Sequence, residues 1–294
     1  KKLESKDLRN KTLFRGMTQW FSPLVLLKCG LQAVITSMFS QYADGRLMVA
    51  SLDRSTEDDL VGQNDLRSII RPDDNGALWI DYVADLGDGF TATYAVAYLL
   101  AQKSLTLTNY KESLPRGSVL VMGGDEVYPF PNRDEYKHRM QDIYRYAFPD
   151  STAPDANHPR LFLIPGNHDW YDGLKLFLGM FCTGKETKLG SWRIKQHRSY
   201  FSIRLADNWW LWGLDSGVDD QDIDAPQADY FKLCAESMGE RPNIIICAPA
   251  PKWNAADEQE GKESFARVVD YVASSILHRA RPGAQVYATL SGDS

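Results

Sequence analysis

Three short segments of this 294-residue chain carry most of its candidate chemistry: Asp85-Leu86-Gly87-Asp88-Gly89, Gly123-Gly124-Asp125-Glu126-Val127-Tyr128 and Gly166-Asn167-His168-Asp169. Asp, Asn, His and Tyr supply oxygen and nitrogen donors. The glycines beside them let the backbone turn sharply and leave space for an ion or a substrate. Brought together, the carboxylates would repel one another unless cations neutralised them. A pair of divalent or trivalent metal ions is the natural neutraliser, and two cations also lower the pKa of bound water toward neutrality. The chemistry implied is that of a metal site. Taken singly, each segment has a plainer reading. Asp88 suits the N-cap of a following helix, Tyr128 suits the edge of a core, and Gly-Asn-His-Asp suits a turn.

The elements that must position these groups follow from the pattern around them. Residues 1–77 read as helical and then polar, with Asp53 to Asn75 as surface helix and loop. From Ala77 onward, β-like runs alternate with helical ones. The strands predicted are Leu78–Ala84, Ser118–Met122, Arg160–Ile164, Tyr200–Leu205, Trp209–Leu214, Asn243–Cys247 and Gln285–Leu290. The helices predicted are Thr91–Gln102, Arg133–Ala147, Pro226–Ser237 and Glu263–His278. Such alternation argues for a layered α/β domain. Each of the three donor segments follows a predicted strand, and ligands of α/β folds collect at the carboxyl ends of strands. The gaps of 40 residues from Asp85 to Asp125 and 42 from Asp125 to Asn167 each fit one strand–helix–strand crossover.

In order and spacing, the set resembles the calcineurin-like metallophosphoesterase superfamily, and more narrowly the purple acid phosphatase form of its signature. Asp85-Leu86-Gly87 matches that form's Asp-x-Gly, Gly124 to Tyr128 its Gly-Asp-x-x-Tyr, and Gly166 to Asp169 its Gly-Asn-His-Asp/Glu. The resemblance covers about residues 78–294. It implies a four-layer α/β/β/α sandwich of two mixed sheets, with residues 1–77 as an N-terminal helical extension. It also implies two metal ions, iron paired with iron, manganese, zinc or magnesium. One ion would take Asp85, Asp125 and Tyr128, whose phenolate favours Fe(III). Asp125 would bridge to the second, held by Asn167 and Asp293. A metal-held hydroxide would attack a phosphate mono- or diester. His168 would touch the phosphate or protonate the leaving oxygen, with Asp169 orienting its ring. Arg133, just past Tyr128, is placed to meet a phosphate.

Two blocks depart from the pattern. The fourth, Val-x-x-His, has no histidine where Asn243–Cys247 runs into Ala248-Pro249-Ala250-Pro251. In the fifth, Gly-His-x-His, Asp293 takes the first histidine's place, and the second would fall at residue 295, past the last residue, Ser294. The start at Lys1 without Met, and this ending, read as cuts in a longer chain. The departures keep a second reading in view, a catalytically degenerate binding or scaffold protein on the same fold.

Composition narrows the partners. A formal net charge of −6 disfavours specific nucleic-acid binding. The substrate expected is a phosphorylated small molecule or other phosphoester. Four unpatterned cysteines read as free buried thiols in a reducing compartment, hence the cytoplasm or the cytoplasmic face of a membrane. Membrane association is expected only through parts outside this chain. Pro23 to Phe39 is too short and interrupted to span a bilayer. Leu24, Leu27, Leu31, Val34, Ile35 and Met38 recur at helical spacing, which predicts an amphipathic helix packed by that face on the rest of the protein. A membrane-surface helix is the alternative, and the lack of a basic polar face weighs against it. Trp209-Trp210-Leu211-Trp212 suits either base stacking or a strand buried on both faces. The basic stretch Arg193 to Arg198 suits a solvated loop or an anionic substrate.

Overall fold

A computed structural model describes residues 14–39, 46, 64–108, 112–151, 158–218, 223–250 and 264–292. In chain order the strands are β1 (Ile80–Val83), β2 (Ser104–Thr106), β3 (Ser113–Pro115), β4 (Val119–Met122), β5 (Arg160–Leu163), β6 (Thr187–Leu189), β7 (Trp192–Ile194), β8 (Phe201–Ala206), β9 (Trp209–Gly213), β10 (Asn243–Ala248) and β11 (Gln285–Ser291). Two of the three sheets matter here. One runs β1-β4-β5-β7-β6, parallel except for the final β7–β6 pair. The other runs β11-β10-β9-β8, parallel except for β9–β8. Both are mixed, and the fold class is α/β. The third sheet is the small β2–β3 ribbon.

The helices are α1 (Pro23–Phe39), α2 (Phe90–Leu100), α3, α4 (Lys175–Phe181), α5 (Ala225–Ser237) and α6. In α3, α-helical Arg133–Glu135 passes into a π-helical Tyr136–Gln141 and back to α-helix over Asp142–Ala147. In α6 the same happens over Ser264–Tyr271, Val272–Leu277 and His278–Ala280. Asn132 starts α3 by accepting from the backbone N–H groups of Asp134 and Glu135, and Asp224 starts α5 by accepting from Gln227 N–H. Among the described residues no helix is long and apolar enough to cross a membrane.

The period-two pattern of β4 shows how the layers form. Leu120 and Met122 face one way, into a cluster with Tyr136, Ile143 and Tyr144 of α3 and Phe177 of α4. Val119 and Val121 face the other way, against Ile203, Leu205 and Leu211 of the second sheet. On the far side of that sheet, Trp212 and Ile246 meet Phe231 of α5 and Val272 of α6. Helices therefore cover the outer face of each sheet, and the two inner faces pack together. Val121 is fully buried at the centre, and truncating it to Ala would cost about 2–3 kcal/mol.

Several expectations need correction. Trp210 and Trp212 are buried, with Trp212 stacked on Phe231 at 4.6 Å, so the tryptophan run is a two-faced core strand and not a base platform. Arg193 is buried in β7 and paired with Asp150 at 2.6 Å, and Gln196 is buried against Leu163. The basic stretch is therefore not a wholly solvated loop: Lys195 is exposed, while Arg193 and Gln196 are buried. Of the polar stretch before Ala77, residues 53–63 lie outside the described residues. Leu66 and Ile70 are buried between the two sheets, and Leu66 N–H donates to Arg204 O of β8. The apolar face of α1 is not buried: Leu24, Leu27, Leu31, Val34, Ile35 and Met38 are all exposed. All four cysteines are free, three of them buried and Cys29 half-buried.

Candidate active site

β1, β4 and β5 lie side by side and parallel, so their carboxyl ends open on one edge. Asp85 follows β1, Asp125 follows β4, and Gly166 to Asp169 follow β5. Both aspartates are in the left-handed region, at φ 58° and 55°. Asp tolerates it better than most residues, yet each instance costs on the order of 1 kcal/mol, and such strain collects at functional sites. Gly124, at φ 117°, sets up the turn into Asp125, and its carbonyl accepts from Asp85 N–H at 3.0 Å. Gly87 explains the Asp-x-Gly spacing. A Cβ there would lie 2.0 Å from the Glu126 carbonyl oxygen, so only glycine lets the two loops press together. Tyr128 N–H then donates to Gly87 O, and the Thr93 hydroxyl of α2 donates to Leu86 O.

This scaffold draws the oxygen donors together. The Tyr128 hydroxyl donates to Asp125 Oδ2 at 2.8 Å and to Asp85 Oδ1 at 3.1 Å. His168 N–H donates to Asp125 Oδ1 at 3.0 Å. Burial raises the Asp125 carboxyl well above the ordinary carboxylate range, and Asp169 and Asp85 add to this; the bonds from Tyr128 and His168 N–H oppose it. Burial, with Asp125 and Asp85 beside it, raises the Tyr128 phenol as well. Among the described residues no Lys or Arg forms an ion pair with Asp125.

His168 holds Nδ1 2.9 Å from the Pro129 carbonyl oxygen. A carbonyl only accepts, so Nδ1 carries the proton at this contact. This corrects the role expected of Asp169. Its carboxylate does not orient the His168 ring. It is fully buried, and it accepts from Gly166 N–H at 3.0 Å, from Glu126 N–H at 3.3 Å and from the Tyr136 hydroxyl. Asp169 staples the β4 loop to the β5 loop and fixes the turn that carries His168, so it is a positioning residue. Beside it, burial and the Asp169 charge raise the Glu126 carboxyl well above its ordinary range.

The other site expectations divide. Asn167 is partly exposed on the His168 turn, and its side chain makes no hydrogen bond among the described residues. Asp293 lies outside the described residues. Its neighbour Gly292 follows β11 against Asp85, where a Cβ would come within 2.5 Å of Asp85 Oδ2. Ala248 faces the outer helical cluster, and Pro249 instead approaches Gly124, with its Cβ 3.2 Å from where a Gly124 Cβ would lie. Neither offers a donor. Arg133 is exposed at the start of α3 and lines a separate cleft with Asp134, Asp172 and Lys175. Asp88 is not an N-cap: Gly89 holds that position on α2, without a side-chain bond.

Asp88 points to a feature with no signal in the sequence. Its carboxylate accepts from Thr18 N–H at 2.7 Å and from Trp20 Nε1 at 3.0 Å. The Trp20 ring then stands edge-on to Tyr128 and His168, with centroids 5.6 and 5.7 Å away. Arg15 pairs with Glu135, Arg15 O accepts from Phe90 N–H, and Gly16 O accepts from Arg139. Residues 14–20 thus form one wall of the site.

The oxygens of Asp85, Asp125 and Tyr128 are hard donors on one small face, which suits one hard cation. The donors for a second ion are not complete among the described residues, and no three His, Cys, Asp or Glu groups there converge as a metal cluster. No family model, no curated protein and no solved structure matches the chain.

Proposed function

We propose that this chain is a metal-dependent phosphoester hydrolase of the calcineurin-like metallophosphoesterase kind, with a site of purple acid phosphatase type. The observation that carries the reading is the meeting of Asp85, Asp125 and Tyr128 at the carboxyl edge of three parallel strands, with the His168 backbone N–H donating to Asp125. Two mixed sheets, each covered on its outer face by helices, agree with the four-layer sandwich of that superfamily.

In this reading Asp85, Asp125 and Tyr128 hold one cation, and Asn167 with Asp125 contributes to a second. Bound there, the metal supplies Lewis-acid polarisation of the phosphoryl group and a nucleophile at neutral pH. The chain's own residues do the rest. His168, its tautomer set by Pro129 O, directs Nε2 to a phosphoryl or leaving-group oxygen. Asp169 keeps that turn in place. Trp20 narrows the opening and keeps bulk water from one side. The free cysteines support a reducing compartment.

The test is hydrolysis of p-nitrophenyl phosphate and bis(p-nitrophenyl) phosphate by the purified chain, before chelation, after it, and after return of iron, manganese or zinc. Turnover that chelation abolishes and metal restores supports the proposal; turnover indifferent to chelation contradicts it. The lack of a donor at Ala248 and Pro249 favours one second reading, a protein that binds metal and phosphate without turning over. In that case phosphate binding would depend on metal while hydrolysis stayed at background.

A further inference from the structure

Helix α1 sits the wrong way round for a core element. One face is attached to the domain: Gln32 Nε2 and the Thr36 hydroxyl both donate to the Tyr171 carbonyl, three residues past His168. The opposite face carries Leu24, Leu27, Leu31, Val34 and Met38, between 56% and 69% exposed, and it continues into Phe21 at 96%. On a helix these positions fall within one stripe about 100° wide. A continuous apolar stripe facing away from the domain needs an occupant.

Charge says which occupant. From Leu8 to Ala43 the sequence has no acidic residue, while Arg9, Lys11, Arg15 and Lys28 are basic. Residues 1–43 hold seven basic and two acidic residues, a net +5, against −11 for the rest of the chain. A symmetric second copy would set two such positive segments against each other. A surface with apolar depth and negative charge complements both features at once. The bonds from Gln32 and Thr36 keep the other face on protein, so the helix cannot be ringed by lipid as a spanning helix is.

We propose that α1 is an interfacial helix that lies along an anionic lipid surface, its Leu24–Met38 stripe in the headgroup–acyl boundary. Lys28 and the basic residues that precede α1 in the sequence, apart from Arg15, which pairs with Glu135, add electrostatic attraction. Tyr171 ties the inner face of α1 to the His168 turn, so docking brings the candidate site beside the headgroups. The proposal does not depend on the hydrolase reading.

The experiment is co-sedimentation of the full chain with phosphatidylcholine vesicles and with vesicles about one-third phosphatidylserine. The wild-type chain is expected to partition onto the mixed vesicles, less so at high salt. The double substitution Leu27→Glu and Leu31→Glu is expected to weaken partitioning by at least about tenfold, with the melting temperature unchanged because both positions are exposed. Three results would overturn the proposal. The first is wild-type protein that ignores both vesicle types. The second is a melting temperature markedly lowered by the double substitution, which would mean that the chain itself covers the stripe. The third is a wild-type dimer that the substitution dissociates, which would mean that a second copy does.

Discussion

Asp125 and Asp215 are both buried aspartates just beyond a strand, Asp125 after β4 in one sheet and Asp215 after β9 in the other, yet the protein treats them differently. Asp215 is compensated from within. It accepts from Trp170 Nε1 at 3.0 Å, from the Ser199 hydroxyl and from Gly217 N–H at 3.1 Å, and the Arg46 guanidinium lies 3.7 Å away. Asp125 has two donors, and its charged neighbours Asp85 and Asp169 are carboxylates. A carboxylate among carboxylates, on a strained backbone, is a setting whose repulsion a bound cation would relieve. Asp215 is a structural hub; in the function proposed above, Asp125 is a metal ligand.

The largest effect should come from the poorly compensated side. Asp125→Asn is expected to lower kcat/KM on p-nitrophenyl phosphate by about a thousandfold or more. It should leave the metal-free melting temperature the same or higher, because a buried charge beside Asp85 and Asp169 is gone. Steady-state kinetics and a thermal melt check both; a lower melting temperature would break the comparison.

Asp169 belongs with Asp215 as a compensated carboxylate, and removing it should act on stability. Asp169→Ala leaves Gly166 N–H, Glu126 N–H and the Tyr136 hydroxyl without an acceptor, at a cost of about 3 kcal/mol. Denaturant unfolding measures that cost. The pH dependence of whatever activity remains should keep its shape, as befits a residue that positions but does not react.

Asp215 sharpens the contrast through pH. Burial raises its carboxyl to about 6, even with Arg46, Ser199, Gly217 and Trp170 opposing the shift. Between the ordinary carboxylate pKa near 4 and this value, the unfolded chain has released its proton while the folded chain still holds it. Stability therefore falls as pH rises through that window, by about 2–3 kcal/mol for this group, and levels off above about 6. Asp215→Asn should flatten that part of the stability–pH curve, as urea midpoints taken from pH 4 to pH 7 would show.

The smallest effect concerns the two tryptophans. Trp170 is sealed against Asp215, whereas Trp20 is half-buried over Tyr128 and His168. Trp20→Ala should raise KM for an aryl phosphate several-fold, the equivalent of about 1 kcal/mol, and leave kcat nearly unchanged. An equal fall in kcat would mean that Trp20 also holds the His168 turn.

The seven longer strands and the strand-end donors were legible because each depends on local signals. Short apolar runs marked β4 and β5, and glycines near Asp85, Asp125 and His168 marked the turns. The run Arg133–Ala147 was legible as α3, though not its π-helical middle. Three-residue strands such as β6 and β7 are too short to show a period, and α4 is apolar on nearly every side, so neither carried a usable pattern. Periodicity showed that α1 has an apolar stripe but not which way it faces. That is set by Gln32 and Thr36 finding Tyr171 O, a contact across more than 130 residues. The family resemblance implied that Asp169 orients His168, yet a backbone carbonyl, which sequence cannot advertise, took that place. Arg46 and Trp20 reach their sites across the fold and left no trace in the motifs.

Metal retention tests the central claim most directly. The wild-type chain, Asp125→Asn and Asp215→Asn would each be loaded with iron or manganese, dialysed, and assayed for bound metal by elemental analysis. The account predicts at least about one equivalent retained by the wild-type chain and by Asp215→Asn, and a loss of most of it in Asp125→Asn. Equal retention by all three, or none by the wild-type chain, would contradict it.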